Sequence, residues 1–124
     1  MKLENIKFKA KSLRDGKWIF GDLMKESYGA RIIEHTSKAS NWIAVDPNTV
    51  CQFTGLKDKK GKEVYEGDII RNPEFPFEKR TVTWNDLYSC FEPINKDGYE
   101  NRSFTSLVLF KKWTVVGNKF DKEK

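Results

Sequence analysis

Acid–base and nucleophilic catalysis draws on histidine, paired carboxylates or an activated cysteine, and these are scarce here. His35 is the one histidine among 124 residues. It follows the strand-like run Arg31-Ile32-Ile33-Glu34 and precedes a polar stretch, which reads as a surface or edge position. Cys51 and Cys90 are far apart and have no zinc-like or redox-like spacing. They read as small, reduced, buried residues. The densest acidic cluster is Glu63, Glu66 and Asp68, but Lys59, Lys60, Lys62 and Arg71 surround it. A hard-cation site is the weaker reading there, and a solvated turn with exchangeable ion pairs the stronger. Asp68 has a reading of its own, because a carboxylate entering a strand after Gly67 can accept backbone N–H bonds and shape a tight bend. No phosphate loop, dinucleotide glycine motif or nucleophile elbow occurs. The expectation is no catalytic residue, no metal, no cofactor and no enzymatic activity.

Binding chemistry is better represented. Trp18, Phe20, Trp42, Phe53, Tyr65, Trp84, Phe91, Phe110 and Trp113 fall mostly at apolar positions of alternating runs. Most must be core, since aliphatic residues are few. Where rings interleave with lysine, in Lys17-Trp18 and Lys111-Lys112-Trp113, they suit the stacking of single-stranded bases beside a charged backbone. Lys9, Lys17, Lys111, Lys112 and Trp113 are therefore the candidate nucleic-acid contacts. Phe75-Pro76-Phe77 places two rings around a proline in a loop. Phe75 and Phe77 are candidates for a contact between subunits as much as for packing onto the chain's own core.

Composition bounds these readings. The net charge of +5 is uneven: residues 1–17 hold six basic and two acidic side chains, residues 111–124 five and two, and the middle is slightly acidic. Lysine-rich ends are most simply a solubilising fringe, although ends that met in space would form one positive patch. Hydrophobic content of 38% with 33% charge is lean, yet 14% aromatics argues for a small core of large rings in one domain spanning 1–124. No apolar run approaches the ~18 residues of a membrane span, and no apolar stretch follows the charged N-terminus. The expectation is a cytoplasmic protein without membrane contact.

The elements that would position these residues are short. Ile6–Ala10 alternates apolar and basic residues and reads as a strand, joined through Asp15-Gly16 to a second over Lys17–Met24. Arg31–Glu34 and Trp42–Val45 follow, and Asp46-Pro47-Asn48-Thr49 fits a helical turn with Asp46 as cap and Pro47 first. Glu63–Tyr65, Ile69–Arg71, Arg80–Asn85, Tyr88–Ile94 and Trp113–Asn118 are further strands, with turns at Lys57–Gly61 and Asn95–Gly98. Ser103–Trp113 suits a short helix or a strand equally. Gly16–Leu23 echoes Gly61–Ile69 with one residue fewer, which reads as one strand–turn–strand solution used twice. Strands at this spacing predict a mostly β chain, a small barrel or sandwich.

The block Gln52-Phe53-Thr54-Gly55-Leu56-Lys57-Asp58-Lys59-Lys60-Gly61-Lys62-Glu63-Val64-Tyr65-Glu66-Gly67-Asp68-Ile69-Ile70 resembles the signature of the YopX family of phage and prophage proteins. The resemblance extends to Ile6-Lys7-Phe8-Lys9-Ala10, to Val45–Val50, and to Trp113-Thr114-Val115-Val116-Gly117-Asn118. It departs at Lys119-Phe120-Asp121-Lys122, where the family has a different ending. It implies a small SH3-like β barrel with irregular or helical additions, homo-oligomeric assembly, a phage or prophage gene, and no catalytic residues. The resulting expectation is a non-enzymatic, homo-oligomeric accessory scaffold. Its partners are further copies of itself and a host or phage protein, and the alternative is a nucleic-acid-binding β barrel.

Overall fold

The computed structural model describes residues 2–73, 79–87, 89–94 and 112–121. Within them run ten strands: β1 (Phe8–Lys11), β2 (Trp18–Glu26), β3 (Gly29–His35), β4 (Ser40–Val45), β5 (Cys51–Lys57), β6 (Glu63–Tyr65), β7 (Asp68–Arg71), β8 (Lys79–Asn85), β9 (Cys90–Ile94) and β10 (Thr114–Asn118). Among the described residues helix is confined to single 3-10 turns at Leu3–Asn5 and Pro47–Thr49. The mostly β reading therefore holds. The chain divides into two compact units, Met1–Phe53 and Thr54–Lys124, each with its own cluster of buried apolar residues where composition suggested one core.

The first unit is an antiparallel sheet in the order β4-β3-β2-β1, with the start of β5 beside β1. Its registers pair Ala10 with Ile19, Leu23 with Ile32, and Ala30 with Val45. Side chains alternate across a strand, so these residues share one face and form the core with Phe8 and Val50 around them. Lys9, Lys11, Trp18, Phe20, Asp22, Ile33, His35 and Trp42 fall on the other face by the same registers. The turn after β4 follows its local chemistry. The Asp46 carboxylate accepts the Asn48 N–H at 3.0 Å, and the Thr49 hydroxyl oxygen accepts the Lys11 N–H at 2.9 Å.

Gly21 overturns the expected echo. It sits inside the unbroken strand β2 with φ 157°, and a Cβ there would lie 2.0 Å from the Ile33 carbonyl oxygen. Its counterpart Gly67 has φ 84° in the bend between β6 and β7. The same letters thus build a close approach between strands in one copy and a turn in the other.

In the second unit β6 lies beside the end of β5, and a four-stranded antiparallel sheet runs β10-β7-β8-β9. A register shift between Val115 and Gly117 marks a bulge in β10. Val64, Ile70, Val82 and Trp113 make the core, with Leu56, Phe91 and Val115 packed against it. Burying each such side chain contributes about 1.5–3 kcal/mol. At the Gly67 bend the Asp68 carboxylate accepts the Tyr65 N–H at 2.8 Å. Asp68 is wholly buried, so this part of the acidic cluster is a structural knot and not a solvated ion-pairing turn. Neither sheet closes on itself among the described residues. The expected turn at Asn95–Gly98, the rings Phe75 and Phe77, and most of the helix-or-strand segment Ser103–Trp113 lie outside the described residues. Among the described residues no helix is long and apolar enough to cross a membrane.

Candidate functional site

The outer face of the first sheet gathers lysine and aromatic rings. Lys11 stands opposite Trp18, and Lys9 opposite Phe20. The Nζ atoms of Lys9 and Lys11 lie 4.6 and 5.4 Å from the Trp18 ring centre, and that of Lys7 lies 4.8 Å from Phe53. An ammonium over an indole face is attracted by the ring quadrupole, and the alkyl stem covers apolar surface. Lys9 is buried in consequence. It is a packing residue over Trp18 and not the solvent-facing phosphate contact that its place in the basic N-terminus suggested. Lys17 is exposed in the β1–β2 turn, where its N–H donates to the Asp15 carboxylate at 3.0 Å.

Phe20 and Trp42, two of the nine rings of which most are expected in the core, are 48% and 55% exposed. The parity of their strands decides this. Ile19 and Leu23 turn inward on β2, which sends Phe20 outward. On β4, Val45 is buried, which places Trp42 on the opposite side. Counting parity from the inward aliphatics, and not from ring size, is the signal that identifies both.

Trp42 also lies on the outermost strand of its sheet. The Ala44 C=O accepts the Leu13 N–H at 3.1 Å, and the Asp46 N–H donates to the Lys11 C=O at 2.8 Å. The backbone polar groups of even-numbered residues here thus point away from β3. By the alternation of an antiparallel ladder, Ser40 and Trp42 present theirs along the same outer edge.

His35 is exposed at the end of β3 as expected, but its surroundings were not legible in sequence. Its Nδ1 lies 2.9 Å from the Ser40 hydroxyl and its Nε2 2.7 Å from the Asp22 carboxylate. All three groups are open to solvent. A working Ser–His–Asp array holds its carboxylate buried. Here the bonds tie β2, β3 and β4 together across the sheet surface. Nearby, Arg31 and Glu26 pair at 2.7 Å on the same face.

In the second unit Lys112 is exposed while Trp113 is 4% exposed. Trp113 packs with Val64, Ile70 and Val82, and the Arg80 guanidinium lies 5.8 Å from its ring. It is a core residue and is not presented as a base-stacking platform, because the apolar pocket it fills outweighs its lysine neighbours. Its indole N–H has no hydrogen-bond partner among the described residues. Lys111, the remaining candidate, lies outside the described residues, as do Phe75 and Phe77.

Buried polar groups in this unit are structural. Asp58 accepts the N–H groups of Lys60 and Lys62 on Oδ1 and that of Val115 on Oδ2, at 2.8, 2.9 and 2.9 Å. The buried Glu92 carboxylate accepts from Asn85 at 2.9 Å. The Tyr65 hydroxyl donates to Glu63 at 3.2 Å. Burial, and then the Glu63 carboxylate, push the Tyr65 phenol well above its ordinary pKa. Cys51 and Cys90 are both free thiols. Among the described residues no three His, Cys, Asp or Glu side chains gather in a way that could hold a metal.

No curated protein sequence matches this chain. The family model described as YopX protein aligns with residues 7–123, a span that takes in the β1 strand, the whole central block and the Trp113–Asn118 strand. With that coverage, the chain belongs to the YopX family.

Proposed function

We propose that this chain is a non-enzymatic accessory protein of phage or prophage origin. In this reading it works in the host cytoplasm as a homo-oligomeric binding scaffold whose copies join through β4. The observation that carries the reading is the outer edge of β4, where Ser40 and Trp42 direct their backbone polar groups away from the sheet and the Trp42 ring is exposed. An antiparallel β4–β4 pairing is self-complementary, so one patch serves both copies of a two-fold dimer. Backbone hydrogen bonds then supply affinity, and the rings cover the seam. The Lys11–Leu13 backbone occupies the Ala44–Asp46 end of that edge. At the open end only Lys38 precedes the strand as a charged guard, and edge strands that remain monomeric carry stronger protection. In the second unit, β10 returns to pair beside β7, the first strand of the β7-β8-β9 meander. That order supports an SH3-like arrangement for this half of the chain. Sedimentation of the wild type and of Trp42→Lys tests the assembly. The wild type is expected to be a defined oligomer and the variant a folded monomer. A wild type that is monomeric at every concentration refutes the reading.

A second reading, single-stranded nucleic acid on the same sheet face, is favoured by the exposed Phe20 on the face that also carries Lys11. Anisotropy of a labelled oligonucleotide separates the two. Binding that falls steeply with salt and weakens in Phe20→Ala supports nucleic acid. Assembly without binding supports the scaffold.

A further inference from the structure

The turn between β5 and β6 is clamped onto β10. Asp58 is turned inward and engaged by three backbone N–H groups, one of them from Val115, and the Lys59 N–H donates to the Trp113 C=O at 3.0 Å. The clamp holds the exposed Lys59 and Lys60 at a cleft of about 490 Å³ that they line with Arg71, Pro73 and Thr114. Arg71 stands opposite Thr114 on β10 and opposite Lys79 on β8, so Arg71 and Lys79 project from one face as direct cross-strand neighbours. Like charges in that relation destabilise a sheet, and no carboxylate lines the cleft among the described residues. Three cations thus line the cleft, and a fourth, Lys79, adjoins Arg71 across the sheet, in a relation that folding alone disfavours.

We propose that this cleft is an anion site that takes a phosphate-bearing ligand, with the Arg71 guanidinium as the bidentate contact and Lys59, Lys60 and Lys79 as point charges around it. The volume falls in the usual range of ligand sites, about 300–1,000 Å³, and leaves room for a phosphate that is one part of a larger molecule. A nucleotide-like small molecule and a nucleic-acid backbone share this chemistry. The site does not depend on β4 pairing, and a monomeric protein would carry it equally.

Two probes test it on the full chain: pyrophosphate, read by thermal melting, and a labelled single-stranded oligonucleotide, read by anisotropy over a salt series. Either probe is expected to bind the wild type. Pyrophosphate alone points to a small-molecule source, and the oligonucleotide to a polymer. Lys79→Glu converts the repulsive Arg71 neighbour into an attractive one. It should raise the melting temperature of the unliganded protein while cancelling the stabilisation by pyrophosphate. Lys60→Gln, in an exposed turn, should weaken either probe without changing the fold. For the oligonucleotide it should also lower the salt slope by about one. Failure of both probes on the wild type, or binding by both variants equal to wild type, overturns the proposal.

Discussion

Asp68 and Asn118 are hydrogen-bonded inside the second unit, Asn118 Nδ2 donating to Asp68 Oδ1 at 2.9 Å across fifty positions of sequence. Both are buried. Asp68 opens β7 at the Gly67 bend and Asn118 closes β10, and the two are paired in register. The bond therefore joins the Glu-Gly-Asp turn of the central block to the Val-Gly-Asn ending, two segments of the family signature. The other carboxylate oxygen of Asp68 holds the bend itself through the Tyr65 N–H.

Removing either partner should therefore be costly. Asp68→Ala strands the Tyr65 N–H and the Asn118 amide, for about 3–4 kcal/mol, and Asn118→Ala costs about 2 kcal/mol. The pair should couple, so the double variant loses less than the two single losses combined. Urea denaturation of the four proteins measures this, and simple additivity would refute the pairing.

Gly21→Ala should destabilise the first unit by roughly 3 kcal/mol or more, because the new Cβ meets the Ile33 carbonyl oxygen at 2.0 Å and backbone has to move. Gly16→Ala is the comparison. Its φ of 73° carries the left-handed cost of about 1–2 kcal/mol, but nothing lies within 4 Å of its Cβ. Chemical denaturation should rank Gly21 well above Gly16.

Trp113→Phe should change stability by within about 1 kcal/mol. It relieves an unpaired buried N–H, worth about 1–3 kcal/mol, and leaves a small cavity of comparable cost. Trp113→Ala empties the core site and should cost about 3–5 kcal/mol. Equal losses in the two variants, again read by urea, would show that the indole N–H has a partner.

Alkaline pH should unfold the protein partly through Tyr65. Its phenol is raised in the folded state, first by burial and then by Glu63. Below about pH 10, the ordinary tyrosine value, both states keep the proton and stability is unaffected. Above it the unfolded state loses the proton first and stability falls, by up to about 1.4 kcal/mol per pH unit. Tyr65→Phe should flatten that decline between pH 10 and 12 in equilibrium unfolding, and an unchanged slope would discount the assignment.

Where one segment contains its own physics, sequence and structure agree. Asp46 and Pro47 form the capped turn because donor and acceptor are neighbours, and Asp68 accepts a backbone N–H three residues away. The strands follow from alternation. The candidate contacts were less legible, because solvent exposure depends on which other strand arrives. Lys9 reads as a surface cation until Trp18 is placed beside it, and Trp113 reads as a lysine-flanked ring until Val64, Ile70 and Val82 close around it.

The sequence by itself determined that this chain is mostly β, where most of the described strands fall (β5, Cys51–Lys57, being the one it did not name), and which family it belongs to, because those depend on local periodicity, backbone preference and a contiguous signature. Only the tertiary structure decided which rings are covered, that His35 meets Asp22 and Ser40, that Arg71 and Lys79 are cross-strand neighbours, and that Arg71 shares a cleft with Lys59 and Lys60. Those relationships are set by strand register, and register is a property of two strands together that neither carries alone.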